Sequence, residues 1–146
     1  MTRWLILLAG LLLFTPPMAS AALASADDSE PPPEPARRVI VKLSEYQFTP
    51  SRIELKAGEP VELTLINEGT IAHEFVTLAF SSLEVAVTVE GVETETVGVV
   101  EVELQPKSRA QLRFTPDKPG DYPFACHAEK PVDHTTKGMT GTLIIR

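Results

Sequence analysis

Residues 114–146 read FTPDKPGDYPFACHAEKPVDHTTKGMTGTLIIR and carry the strongest strand signal in the chain. Tyr122, Phe124 and Cys126 fall on alternate positions, the period of a strand with one buried face. The apolar run from Gly141 to Arg146 predicts a second, closing strand. The polar stretch between these two strands has no such alternation and is typical of a loop. This segment therefore predicts two strands joined by a loop at one end of a sheet.

The same alternation recurs upstream, between turns rich in Gly, Pro and Asn. Short runs rich in Val, Ile, Leu, Thr and Phe indicate further strands at Val39–Leu43, Val61–Ile66, Val85–Val89, Val100–Leu104 and Leu112–Phe114. We therefore predict an all-β fold, a Greek-key β-sandwich of about seven or eight strands. The stretch 78–98 has the least regular pattern and predicts a loop or a short helical turn.

The composition excludes several classes of protein. The formal net charge of −7 argues against a nucleic-acid partner and against binding to anionic membrane surfaces. The 13 prolines are too many for a helical bundle. The single cysteine excludes an intrachain disulfide.

The first 26 residues have the pattern of a signal peptide. Arg3 precedes an apolar run, Trp4–Phe14, which is too short to span a bilayer as a helix. Small-residue sites predict cleavage after Ala21 or Ala26; the alternative is an uncleaved anchor. We expect export to the periplasm, with no stable membrane insertion after cleavage. Residues 27–36 (DDSEPPPEPA) predict an acidic, Pro-rich linker, and residues 37–146 the folded domain.

One group of residues has the composition of a metal site. Cys126 is followed after seven residues by His134 and after four more by Met139, and His73 lies upstream. A thiolate, two imidazoles and a thioether are the ligands of a type 1 copper site, whereas Ca²⁺ and Mg²⁺ prefer oxygen. The sequence therefore predicts one copper ion bound by His73, Cys126, His134 and Met139.

Each of these residues also has a simpler interpretation. Cys126 alone could be an inert buried thiol, Met139 a core residue and His73 a hydrogen-bonded loop histidine. His127 could compete as a ligand, but strand alternation would point it away from a metal that Cys126 faces. Glu74 is either a solvated strand residue or a hydrogen-bonding residue that stiffens the ligand loop.

The domain resembles the cupredoxins, the family of plastocyanin and azurin. The similar stretches are VKLSEYQFTPSRIELKAGEPVELTLINEGTIAHEF (Val41–Phe75) and the segment Phe114–Arg146. The resemblance rests on three motifs: N-x-G-x-x-x-H-E-F, which contains His73, P-G-x-Y-x-F-x-C, which ends at Cys126, and H-x-x-x-G-M-x-G, which contains His134 and Met139. The resemblance implies a cupredoxin-like sandwich in which the same four residues bind copper. The seven residues HAEKPVD between Cys126 and His134 depart from the shorter loop of many small members.

Two functions follow as hypotheses. The first is a one-electron carrier that cycles between Cu(II) and Cu(I), with electrons passing near His134. The second is a copper-binding protein for copper tolerance or delivery. We do not expect an enzyme, because three histidines cannot supply a second copper centre unless subunits share ligands. The expected partner is a redox protein or a copper-trafficking protein, and the expected state is a monomer.

Overall fold

A computed structural model describes residues 36–146 of the chain. The predicted signal peptide (1–26) and all of the predicted linker (27–36) except Ala36 lie outside these residues. Both segments therefore remain predictions. Nothing in residues 36–146 forms a helix long and apolar enough to cross a bilayer.

Eleven β-strands make up the regular structure of residues 36–146, and no α-helix occurs there. In chain order the strands are β1 (Arg37–Ser44), β2 (Gln47–Thr49), β3 (Arg52–Leu55), β4 (Val61–Asn67), β5 (His73–Thr77), β6 (Glu84–Val89), β7 (Val92–Val97), β8 (Glu101–Leu104), β9 (Arg109–Phe114), β10 (Gly120–Ala125) and β11 (Thr140–Ile145).

The strands form two sheets that enclose one core. The six-stranded sheet has the order β2-β1-β4-β9-β6-β7, and the five-stranded sheet has the order β3-β11-β10-β5-β8. Phe48 of the first sheet packs edge to face against Phe75 and Phe124 of the second, with ring centroids 5.9 and 5.0 Å apart. Such aromatic pairs fix the two layers against each other. The prediction of an all-β sandwich is confirmed.

Alternating apolar residues explain why these strands form the core. In β4, Val61, Leu63 and Leu65 are buried while the residues between them are partly exposed. In the Y-x-F-x-C segment, Phe124 and Cys126 are fully buried and Tyr122 is packed against the core. The period of two in the sequence is thus the period of burial in the sheet.

The strand count exceeds the predicted seven or eight because β2, β3, β5 and β7 are additional. Residues 78–98, expected to contain a loop or a short helical turn, hold a turn at residues 79–82 and then the β6–β7 hairpin, whose first strand includes the predicted run Val85–Val89. The hairpin closes on Glu90 and Gly91, both with positive φ (51° and 81°), as a two-residue loop with right-handed strand twist requires. Every residue of β7 is exposed, so its sequence carries no burial alternation.

Strand pairing brings three connections to one pole of the sandwich. β5 runs antiparallel to β10 with Ala125 opposite Val76, which places the start of β5 beside the residues that follow β10. β1 runs parallel to β4, which places the β1–β2 turn beside the loop that leads into β5. The 68–72 loop, the 126–139 loop and the turn at residues 45–46 therefore meet at the same end.

Gly141 tests the packing beneath this pole. A Cβ at position 141 would lie 2.2 Å from Phe124 Cζ and 2.5 Å from the Ser51 carbonyl oxygen. Since neither neighbour can give way cheaply, we expect Gly141→Ala to lower the free energy of unfolding by about 1–3 kcal/mol. Denaturant unfolding of the metal-free protein measures this change.

The matched control is Gly91→Asn. No atom lies within 4 Å of a Cβ at position 91, and asparagine tolerates the left-handed backbone there. Without a packing clash only the cost of the left-handed backbone remains, so the loss of stability should be below about 1 kcal/mol and smaller than that of Gly141→Ala. Equal stability of the two variants would contradict the packing described for Gly141.

Candidate metal centre

Three potential ligand atoms converge at the pole formed by the loops. Cys126 Sγ lies 3.1 Å from His134 Nδ1 and 3.9 Å from His73 Nδ1, and the two Nδ1 atoms are 3.2 Å apart. All three residues are fully buried. Residues 61 positions apart in the chain thus present their donor atoms to one small, water-excluded space.

His73 is held in place by the loop that precedes it. Asn67, at the end of β4, is fully buried, and its Nδ2 donates to the carbonyl oxygens of Ile71 (2.8 Å) and Leu104 (2.9 Å). Its Oδ1 accepts a hydrogen bond from the Gly69 N–H at 2.9 Å. One amide therefore fixes both ends of the turn from which β5 and His73 start.

Cys126 follows the last residue of β10, and its sulfur faces the backbone of β5. The Glu74 N–H donates to Sγ at 3.2 Å. Burial raises the pKa of the Cys126 thiol, and the N–H groups of Glu74 and Ala128 oppose this rise. The site thus holds a thiol that is protonated in the absence of a cation, with an N–H directed at the sulfur to stabilise the thiolate once the proton leaves.

His134 is oriented by the loop that carries it. Its Nε2 lies 3.1 Å from the Lys130 carbonyl oxygen, which can only accept. Nε2 therefore carries the ring proton, and Nδ1 presents a lone pair to Cys126 and His73. The Thr135 hydroxyl donates to the Cys126 carbonyl oxygen at 2.8 Å and closes the loop onto the strand end.

Met139 is hydrogen-bonded through its backbone to Cys126 and His134, the other two candidate ligands of the 126–139 loop. It is fully buried, its N–H donates to the His134 carbonyl oxygen and its own carbonyl oxygen accepts from the Cys126 N–H, both at 3.1 Å. The preceding Gly138 has φ of 90°, a conformation that L side chains rarely adopt. Glycine at that position lets the chain turn sharply and return Met139 to the core.

The electrostatics of the pocket favour the neutral form of His73. Burial lowers the pKa of His73, and the neighbouring His134 lowers it further. Within residues 36–146, His73 Nε2 is the buried side-chain nitrogen or oxygen atom that lacks a hydrogen-bond partner. The His73 ring is thus ready to act as a neutral ligand without first losing a proton.

The spacing of the donor atoms fits a single metal ion. A point equidistant from Cys126 Sγ and the two Nδ1 atoms lies about 2 Å from each, close to the ~2.0–2.3 Å of zinc bonds to nitrogen and sulfur. Two nitrogens and one sulfur in a triangle, with a methionine beside them, are the donor set that suits copper. The residues present therefore fit the predicted ion.

His134 is covered by neighbouring groups at the metal pole. The ring is fully buried, and Tyr46 from the β1–β2 turn packs edge to face against it with centroids 5.1 Å apart. The Lys130 carbonyl oxygen, in the loop between Cys126 and His134, lies against the ring at Nε2. The expected passage of electrons near His134 stays a prediction.

The two neighbouring residues with open alternatives are now placed. His127 is exposed and outside the group of converging donors. Glu74 acts on the sulfur through its backbone N–H, while its half-buried carboxyl group has a pKa raised by burial and by Glu101. The sequence analysis missed Glu45 and Tyr46, which no ligand pattern marks.

Comparison with known proteins places this geometry in a family. Residues 5–145 match a family model described as a cupredoxin-like domain. No curated protein sequence matches the chain.

Solved structures show the same fold at low sequence identity. Auracyanin B is 18% identical, with a TM-score of 0.55 over 77% of this chain and 90% of that protein. A dithionite-reduced auracyanin from Roseiflexus castenholzii is 16% identical, with a TM-score of 0.55 over 76% and 98%. A copper-containing nitrite reductase from Thermus scotoductus is 14% identical, with a TM-score of 0.58 over 75% and 31%.

On this fold, His73, Cys126, His134 and Met139 are arranged as a type 1 copper site.

Asn67 provides a test of how the site is built. Asn67→Ala removes three hydrogen bonds and leaves buried backbone groups without partners, so we expect it to lower the free energy of unfolding by about 2–3 kcal/mol. Gln47→Ala is the control, because Gln47 makes its side-chain hydrogen bond at the exposed surface. If both variants unfold at the same denaturant concentration, Asn67 does not hold the loop.

Proposed function

This chain belongs to the cupredoxin-like domain family, and from that premise we propose that it is a periplasmic type 1 copper protein that transfers single electrons. The observation that carries the proposal is the convergence of one sulfur and two nitrogens in a buried triangle. Met139, buried beside them, is the proposed fourth, weak ligand.

The residues of the chain perform three tasks at this site. The Lys130 carbonyl oxygen selects the tautomer of His134, and the Glu74 N–H stabilises a charged sulfur. Asn67 fixes the loop that carries His73. Because β-strands and hydrogen-bonded turns hold all of these groups, the donor atoms move little when the charge at their centre changes. Copper, when bound, supplies the one-electron couple Cu(II)/Cu(I).

The cellular location is part of the proposal. The apolar run Trp4–Phe14 and the small-residue sites ending at Ala21 and Ala26 support export through a cleaved signal peptide. A single free cysteine in an oxidising compartment needs protection, and ligation to a metal in a buried site provides it. We propose a monomer that exchanges electrons with a separate redox protein.

We propose a carrier and not an enzyme. Of the three histidines, two face the sulfur of Cys126 and the third, His127, is exposed. A second copper centre within one chain would need further imidazoles.

Addition of Cu(II) to the purified protein lacking residues 1–26 tests the site. We expect an intense visible band from charge transfer between the Cys126 thiolate and copper, and its complete loss in Cys126→Ser, since the hydroxyl oxygen is a poor substitute for sulfur. Absorption spectroscopy during titration measures both.

Met139→Leu serves as the matched variant. The three ligands of the triangle remain, so the band should persist while the reduction potential changes. A wild-type protein that shows only faint colour with Cu(II) would overturn the assignment of the site.

A second function is favoured by one observation. His134 is fully buried, with Tyr46 packed against its ring and the Lys130 carbonyl oxygen at its Nε2, which lengthens the path from the site to any docked protein. Such shielding suits a periplasmic protein that binds copper for tolerance or delivery. We therefore keep copper handling as the alternative to electron transfer.

The rate of electron self-exchange separates the two functions. Tyr46→Ala should raise this rate if electrons cross the pole at His134, because it removes the ring that covers the ligand. Tyr122→Ala is the control, since its hydroxyl donates to Lys118 O at the opposite end of β10. Nuclear magnetic resonance line broadening in mixtures of the oxidised and reduced protein measures the rate.

A deletion strain completes this comparison. Rapid exchange in the wild type and normal growth of the deletion strain in copper support the carrier. Slow exchange that Tyr46→Ala leaves unchanged, together with copper-sensitive growth, supports copper handling and contradicts the carrier.

A further inference from the structure

Glu45 is an acidic residue at the metal pole that no ligand pattern includes. It occupies the two-residue turn between β1 and β2, next to Tyr46. Its Oε1 accepts two hydrogen bonds from one residue, from the Thr70 N–H at 2.5 Å and from the Thr70 hydroxyl at 2.7 Å. An otherwise exposed carboxylate is thereby tied to the loop that leads into His73.

The carboxylate of Glu45 and the ring of His73 border the same small space. A Cβ built on Gly69 would lie 3.0 Å from Glu45 Oε1, 3.1 Å from Asn67 Oδ1 and 3.1 Å from His73 Nε2. The oxygen and Nε2 are therefore no more than about 6 Å apart, a separation at which unit charges interact appreciably even in water. Gly69 has no side chain that could stand between them.

His73 Nε2 is the atom at which this charge acts. Its Nδ1 faces Cys126 and His134, so a neutral ring that offers Nδ1 as a ligand carries its proton on Nε2. Nε2 is buried and makes no hydrogen bond to residues 36–146. Metal-binding histidines commonly donate this proton to a carboxylate or a carbonyl; here the nearby carboxylate is held back by Thr70 and acts through space.

We propose that Glu45 is a positioning residue of the metal centre, whose tethered carboxylate places a fixed negative charge beside the Nε2 edge of His73 and so favours Cu(II) over Cu(I). This inference rests on the proposed function, because it concerns the balance between the two oxidation states of the same site. Thr70 positions the charge, and Gly69 allows its approach.

The negative charge of the Glu45 carboxylate is present at neutral and mildly acidic pH. The hydrogen bonds from the backbone and the side chain of Thr70 lower the pKa of Glu45 to about 2. The carboxylate therefore stays ionised at neutral and mildly acidic pH. Its effect on the metal centre is that of a permanent charge.

The test is the reduction potential of the copper-loaded protein carrying Glu45→Gln. Glutamine keeps the size of the side chain and an oxygen that can accept from Thr70, but it removes the charge. We expect the variant to hold about two- to fivefold more Cu(I) relative to Cu(II) at a fixed ambient potential, with a smaller difference at high salt. Spectroelectrochemical titration of the visible band measures the ratio.

Two variants control for charge and for tethering. Glu59→Gln removes an acidic residue in the turn before β4, at the opposite pole, and should leave the ratio unchanged. Thr70→Val keeps the charge but loses one of the two donors, so its effect should be smaller than that of Glu45→Gln. In the metal-free protein, the nitrogen-15 resonance of His73 Nε2 should shift in Glu45→Gln and not in Glu59→Gln.

The outcomes separate this inference from the proposed function. A copper-loaded Glu45→Gln with the wild-type band and the wild-type potential overturns the role of Glu45 and leaves the copper site intact. A wild-type protein that forms no thiolate band with Cu(II) overturns the proposed function, and the inference falls with it. A Thr70→Val effect as large as that of Glu45→Gln would assign the change to loop geometry and contradict a role for the charge.

Discussion

The pairing of β5 with β10 is the constraint on which the site depends. Ala125 lies opposite Val76 and Phe124 opposite Thr77, so His73 and Cys126 are carried to the same end of the sheet. The Glu74 N–H then reaches Sγ across the strand boundary. Backbone hydrogen bonds between the strands thus bring together two residues that are distant in the chain. The remaining donors arrive on loops anchored to those strands.

Burial and electrostatics at this pole act in one direction. Exclusion of water raises the pKa of the Cys126 thiol and lowers that of His73, so both groups are neutral when no cation is present. The fully buried side-chain amide of Asn67 provides hydrogen-bond partners for backbone groups of the 68–72 loop and of Leu104 in this buried region. A pocket arranged in this way disfavours an isolated charge but accommodates a cation bound by a thiolate, because the charges compensate each other. The same burial separates the sulfur and the two imidazole nitrogens from solvent.

Much of the fold was predictable because burial leaves a period of two in the sequence. The runs that became β4, β9 and β10 show it clearly, whereas β7 is exposed along its whole length and β2 has only three residues. The sulfur and imidazole residues could be selected by chemistry and spacing alone. The supporting residues could not. Glu45 and Tyr46 acquire their roles through the parallel pairing of β1 with β4, and Asn67 bonds the distant Leu104 of β8; no local pattern encodes these contacts.

The parallel pairing of β11 with β3 has a consequence for how the protein matures. Ile53 lies opposite Leu143, and Leu55 opposite Ile145. During translation β3 is therefore synthesised long before β11, the strand with which it pairs. Met139 and the turn that returns it to the core directly precede that late strand. A nascent polypeptide that has only its first ten strands lacks β11, the strand that anchors the end of the 126–139 loop. Contacts between segments distant in the chain also form slowly. The 126–139 loop is therefore anchored at both of its ends only after translation has delivered the last strand.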